Sequence, residues 1–125
     1  LTIETPLLNV ADGGIISSSS EGKGNAGILT INADIIRLNN KASLTANTQS
    51  PNIDYNKEQA TINLNTQALI LRRNSNITTN ATGANVIGGN ININADVLAA
   101  FENSDISANS TDSRGGRVKI TSLGI

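Results

Sequence analysis

The feature that most constrains the fold of this chain is an internal repeat. Five apolar residues mark equivalent starting points, and they lie 28, 33, 29 and 27 residues apart. Counting from each start, apolar residues recur at the third, eighth and sixteenth positions, and small residues recur at the fifth and eighteenth. The starting points are Leu1, Leu29, Ile62, Ile91 and Val118. Repeats of this length are typical of solenoids and related arrays, so the chain is predicted to wind coil upon coil.

Within each repeat the apolar residues alternate with polar ones. Leu29 and Ile31 flank Thr30, for example, and this period of two is typical of strands with one buried and one wet face. Turn-forming residues separate the strands, as at Asp12-Gly13-Gly14. Asn, Ser, Thr and Gly make up 54 of the 125 residues and are poor helix formers, so no helix is predicted. Each repeat is therefore predicted to contain three short strands, two tight bends and one longer polar arc.

Equivalent positions carry equivalent residues, as expected when each coil stacks directly on the previous one at a rise of about 4.8 Å. We therefore predict an all-β fold, a right-handed parallel β-helix (solenoid) of about four coils of three short strands. The chain is predicted to form a single β-helix segment over residues 1–125, with repeats at 1–28, 29–61, 62–90 and 91–117 and a partial repeat at 118–125. Both ends fall on core residues, so we expect an uncapped fragment that contacts flanking β-helix coils of a longer parent chain.

Asparagine recurs in two outward columns. Stacked amides of one type can form hydrogen-bonded ladders along a β-stack, and solvated outward side chains are the alternative interpretation. The first column is Asn47, Asn80 and Asn109, and the second is Asn32, Asn65 and Asn94.

Composition excludes several classes of function. The chain has no His or Cys, which excludes triads that depend on them, zinc clusters and disulfides. Its net charge of -1 argues against nucleic-acid binding. Since no apolar run approaches the roughly 18 residues of a membrane helix, no membrane insertion is expected. We predict no catalytic, cofactor-binding or metal-binding residues and no cofactor.

Two groups of charged residues are the candidates for a chemical role. Asp34 and Asp96 occupy the same position in their repeats, with Gln67 in the coil between them, which predicts a separation of about 9–10 Å. A glycosidase or lyase needs closer or more numerous carboxylates, so a structural role at a bend is favoured. Arg73 and Glu102 share another column and predict an exposed salt bridge.

Two segments of the sequence resemble those of a known protein family. The segments Gly24-Asn25-Ala26-Gly27-Ile28-Leu29-Thr30-Ile31-Asn32 and Gly88-Gly89-Asn90-Ile91-Asn92-Ile93-Asn94-Ala95-Asp96 resemble the repeats of filamentous haemagglutinin-type exoproteins, and the Asn-rich composition resembles cyanobacterial versions. The resemblance covers nearly the whole chain. It implies a right-handed β-helix, two-partner secretion through an outer-membrane transporter, a secreted or bacterial cell-surface location and an adhesin role. The chain lacks the family's amino-terminal Asn-Pro-Asn turns, and only Pro51-Asn52 comes near them.

The arcs leave the same corner of each coil, and such loops often form a contact surface. The longest arc holds Tyr55 and Lys57, which we name as the candidate contacts for a cell-surface glycan or protein ligand. We therefore expect a non-catalytic structural and adhesive rod segment. The alternatives are a β-helical carbohydrate-active enzyme, either a polysaccharide lyase or a hydrolase, and a rod that displays a distal toxin.

Overall fold

The computed structural model describes residues 1–20, 28–48, 59–82, 88–110 and 116–124. No helix occurs among these residues, and every regular element is a strand. Five long strands alternate along the chain with four short ones. They are β1 (Thr2–Ala11), β2 (Ile15–Ser20), β3 (Ile28–Asn39), β4 (Ser43–Thr48), β5 (Gln59–Arg72), β6 (Asn76–Ala81), β7 (Gly88–Ala100), β8 (Asp105–Ser110) and β9 (Val118–Gly124).

The strands form two parallel sheets in which every neighbour comes from the next coil. The order in the long-strand sheet is β1-β3-β5-β7-β9, and in the short-strand sheet it is β2-β4-β6-β8. The register pairs the residues that the repeat places in one column. Ile31 lies beside Leu64, and Leu64 beside Ile93. The predicted parallel β-solenoid is therefore confirmed.

The number of coils is slightly lower than predicted. The four short strands enclose three stacking intervals, and the solenoid has about three turns where the sequence predicted about four coils. The long-strand sheet extends further because β9 adds a strand next to β7.

The prediction of three short strands per coil is wrong, because the first two form one long strand. At the bend between them, one extra residue interrupts the alternation of inward and outward side chains (a one-residue slip). Ala33 and Ile36 therefore both face inward, and Asp34 is exposed. Hydrogen bonding continues past the slip, since the register on β3 and β5 resumes at Ile35. The Thr66 hydroxyl supports the bend: its oxygen lies 3.0 Å from the carbonyl oxygens of both Asp34 and Ala68, and its single proton is shared between these two acceptors.

The core is a continuous stack of aliphatic side chains between the sheets. Burial is complete in the middle coils and weaker in the outer ones, where each residue has a neighbour on one side only. Ile3 and Ile106 are partly buried, whereas Ile31 and Ile62 have no exposed surface. Removal of an Ile or Leu side chain from water stabilises a fold by about 1.5–3 kcal/mol, so stacking supplies the stability that one coil lacks.

A tight turn with left-handed backbone joins each long strand to the following short one. Two successive residues have positive φ, for example Asn40 (55°) and Lys41 (63°). Asn tolerates this conformation better than most residues, which explains why it recurs in three of the four turns, as Asn40, Asn74 and Asn103. The turns also stack, because the Asn40 amide donates to the Asp12 carboxylate at 2.8 Å.

Candidate functional site

The outward side of the first half of the long strands is lined by amides. On β7, Ile91 and Ile93 are buried, while Asn92 is partly exposed and Asn94 exposed, as strand alternation requires. The same alternation on β5 turns Asn63 and Asn65 outward. We call this surface the amide face; its groove is lined by Thr30, Asn63, Asn65, Asn92, Asn94, Lys119 and Thr121, with Ile93 at its base.

Hydrogen bonds between coils hold part of the amide face in place. The Asn92 side-chain amide donates to Asn63 Oδ1 at 2.9 Å. Asn65 donates in the same way to Asn32 Oδ1 at 2.8 Å. Each bond fixes the orientation of two side chains, so the surface presents amides that are already ordered before any ligand arrives.

The groove on this face is shallow, with a volume of about 490 Å³. Several of its polar side chains are unused: those of Asn94, Lys119 and Thr121 have no hydrogen-bond partner among the described residues. An amide offers two N–H donors and an oxygen acceptor, and an ammonium group offers three donors. The arrangement therefore suits a flat ligand rich in hydroxyl or carbonyl groups.

A second amide ladder follows the short strands. Asn80 donates to Asn47 Oδ1 at 2.9 Å, and Asn109 donates to Asn80 Oδ1 at 3.1 Å. The ladder predicted for this column is therefore confirmed across three coils. Ser19, which precedes Asn47 in the column, instead bonds the Ser17 hydroxyl at 2.9 Å.

In the Asn32 column, the predicted ladder is confirmed only for the rung between Asn32 and Asn65. The rung between Asn63 and Asn92 was not predicted. The sequence does contain a signal for this rung, since Asn63 and Asn92 each directly follow a repeat start and so occupy one column.

The acidic residues that the structure describes do not form a cluster of three or more. Gln67 lies level with both Asp34 and Asp96 in the coil between them, since the flanking residues pair in register. Asp34 instead shares a groove of about 520 Å³ with Glu4. Among the described residues, no three Asp, Glu, His or Cys side chains group closely enough to hold a metal ion.

The charged turn differs in detail from the prediction. Arg72 binds Glu102 more closely than Arg73 does: its Nε and Nη2 donate to Oε1 at 3.0 and 2.7 Å. The Nε of Arg73 lies 3.8 Å from Oε2, so the predicted pair forms as the longer contact. All three side chains are about half exposed, so each pair contributes at most about 1 kcal/mol.

Tyr55 and Lys57, the candidate ligand contacts, lie outside the described residues, as does half or more of each polar arc. Their role stays a prediction. Within the described part of the chain, no helix is long and apolar enough to cross a membrane.

Comparison of the chain with protein families, with curated proteins and with solved structures found no match.

Proposed function

We propose that this chain is a non-catalytic structural and adhesive rod segment of a large secreted or surface-exposed protein of the filamentous haemagglutinin type. The observation that carries the proposal is the amide face: ordered, laddered amides displayed on a rigid parallel stack, with unused donors and acceptors at Asn94 and Lys119. A scaffold of this kind suits contact over an extended surface better than enclosure of a small substrate.

The chemistry of the described surface also favours binding over catalysis. General acid–base catalysis needs a titratable group held next to the reacting bond. The amide face offers Asn and Thr side chains, which do not titrate near neutral pH, and one Lys. Amides and hydroxyls form neutral hydrogen bonds, and many weak contacts repeated along a rod add up through multivalency.

The partners that follow from this proposal are a cell-surface glycan or protein as ligand and flanking β-helix coils in the parent chain. An outer-membrane transporter would act during export, as the family resemblance implies. Tyr55 and Lys57 remain the proposed ligand contacts on the longest arc.

Adhesion is tested with beads that carry the purified chain, applied to a printed array of neutral and anionic oligosaccharides and to surfaces coated with extracted cell-surface proteins. The proposal expects retention on at least one of these, and a loss of several-fold in the double variant Asn94→Ala, Lys119→Ala. Neither side chain takes part in a hydrogen bond among the described residues, and both are exposed, so the fold should be retained.

Thr45→Ala, on the outward face of the short strands, is the matched control and should bind like the unmodified chain. Absence of retention on every surface would contradict the adhesive role. If the double variant is retained as well as the unmodified chain, the amide face takes no part in adhesion.

The alternative, a β-helical polysaccharide lyase or hydrolase, has one observation in its favour. Glu4 and Asp34 line the same groove together with Asn32 and Asn65. An enzyme of this kind would release reducing ends or unsaturated sugars from a polysaccharide, and Asp34→Asn would abolish the release. Failure to release either product from a panel of plant, bacterial and animal polysaccharides would leave the adhesive proposal as the better one.

A further inference from the structure

The second half of the long strands carries an apolar surface on its outward side. Buried Leu69 and Leu71 flank Ile70, for example, so alternation turns Ile70 toward solvent. We call this surface the apolar strip; its central column is Leu7, Ile35, Ala68 and Val97, and Ile70 and Ala99 extend it onto one flank. Leu7 and Val97 are each 51% exposed, and the others are partly exposed.

The apolar strip contrasts with the other outward surfaces of the solenoid. At the amide face and on the short strands, the outward positions hold Asn, Ser, Thr or charged residues, except for Ile15 on β2, which is 67% exposed. Aliphatic residues at outward positions of successive coils form one contiguous patch, and such patches on otherwise polar proteins mark interaction sites. The patch continues to Phe101, which is 55% exposed beside the Arg72–Glu102 pair.

Opposite charges flank the strip. Asp34 lies on one side of Ile35 along β3, and Arg37 lies on the other. Both side chains are exposed, and no ion pair joins either of them to another described residue. The charges therefore remain available to a partner.

We propose that the apolar strip pairs with the same strip of a second copy of this chain, with the two solenoids side by side and parallel. The repeat selects the occupant, because a second copy presents apolar groups at the same interval of about 4.8 Å per coil. A two-fold axis parallel to the stacking direction, centred on the column of Leu7, Ile35, Ala68 and Val97, places each coil opposite the same coil of the second copy. It also places each flank of one chain opposite the other flank of the second chain. Arg37 then faces Asp34 of the second copy, and Asp34 faces Arg37 of the second copy.

The antiparallel arrangement lacks this complementarity. A two-fold axis across the rod keeps each flank on its own side, so Arg37 would face the flank that carries Asn9, Ile70 and Ala99. Charge complementarity sets orientation in protein interfaces, and it selects the parallel pair here.

The pairing of this segment is weak and grows with length. Three stacking intervals of about 4.8 Å separate Leu7 from Val97, so the strip is roughly 14 Å long between its outer strands. A strip of this length and about two side chains wide covers much less than the area of about 800 Å² per partner in a standard interface, so the segment belongs among weak, transient associations. Each added coil with an apolar strip extends the contact.

Sedimentation equilibrium with charge reversals tests the proposal. The unmodified chain should show an average mass that rises toward that of a dimer with concentration. Asp34→Arg and Arg37→Asp should each abolish the rise, since each places like charges opposite one another. The double variant should restore it, because the exchanged charges are again complementary. Lys119→Asp, on the amide face, should leave it unchanged.

A monomeric mass at every concentration would overturn the proposal. Association that survives the single reversals, or that the double variant fails to restore, would overturn the parallel arrangement. Circular dichroism of each variant confirms that its fold is retained, as expected for exposed positions.

Disulfide trapping tests the same geometry independently, because the chain contains no Cys. Ile35→Cys should form a covalent dimer with itself under mild oxidation, since the column lies on the two-fold axis. Thr45→Cys, on the polar short-strand face, should link at least tenfold more slowly. Equal rates, or linkage of Ile35→Cys only to an Ala68→Cys chain, would contradict the parallel pair.

Discussion

Thr79 shows how one side chain departs from the pattern of its column. It occupies an inward position shared with Ala46 and Ala108, it has no exposed surface, and its hydroxyl has no hydrogen-bond partner in the described part of the chain. A buried hydroxyl without a partner costs about 1–3 kcal/mol, so this position lowers the stability of the stack.

Thr79→Val should therefore raise the free energy of unfolding by about 1 kcal/mol, because the isosteric methyl needs no partner. Urea denaturation followed by circular dichroism measures this. Thr79→Ser, which keeps the hydroxyl and loses a methyl group, should be less stable than the unmodified chain. A Val variant that is less stable than the unmodified chain would mean that the hydroxyl does have a stabilising contact.

Ile31→Asp should unfold the chain. Ile31 is completely buried in the stack, and an unpaired carboxylate there costs several kcal/mol. Ile93→Asp should act alike, since Ile93 is 2% exposed in the same column. Asn32→Asp is the matched control, because it adds the same charge one residue away on the outward side. Thermal unfolding monitored by circular dichroism separates them, and a folded Ile31→Asp variant would contradict the core assignment.

At the scale of the element, glycine is required where strands start close to a neighbouring coil. Gly89 has a φ of 72°, and a Cβ atom there would collide with the Asn109 carbonyl oxygen. Gly13 has a similar φ of 79°, with open space around it. The two glycines thus share the backbone conformation and differ in the space available.

Gly89→Ala should lower the free energy of unfolding more than Gly13→Ala does. Gly13→Ala carries only the cost of a left-handed alanine, about 1–2 kcal/mol, whereas Gly89→Ala must also displace backbone. Denaturant titration of both variants gives the difference. Equal losses would mean that the Asn109 strand shifts freely to accept the methyl group.

The sequence predicted the type and register of the strands better than their number. The Ile31–Leu64–Ile93 column follows from the hydrophobic period alone, and register is well specified wherever one face is buried. The continuity of the strand through Asp34 could not be predicted from the sequence. One extra residue in an alternating pattern looks the same as the end of one strand and the start of the next. Continuous hydrogen bonding across it depends on the neighbouring coil, which contributes Thr66.

The amide face was likewise predictable in part. The Asn columns predicted the Asn47–Asn80–Asn109 ladder and the Asn32–Asn65 rung, but not the rung between Asn63 and Asn92. The groove around Asn94 and Lys119 was not predicted either, since a groove depends on side-chain lengths in three adjacent coils at once. Likewise, the closer partner of Glu102 is Arg72 although Arg73 shares its column, because long side chains reach across neighbouring positions.

For the whole molecule, the parallel stacking of coils is the claim on which the other inferences depend. The core, the amide ladders and the apolar strip all arise because coil follows coil in register. A fold with the same strands paired as antiparallel hairpins would bury similar amounts of apolar surface. It would have neither ladders of like residues nor a continuous strip.

Nitroxide labels on outward positions of the short strands test the stacking most directly. Ser17, Thr45 and Ser107 lie in one column on β2, β4 and β8. Three coil rises predict about 14 Å between backbones for the pair at 17 and 107, and two rises predict about 10 Å for the pair at 45 and 107. Dipolar broadening in the spin-resonance spectrum should therefore be present for both pairs and stronger for the second. Equal broadening, the reverse order, or its absence from both would contradict the parallel solenoid.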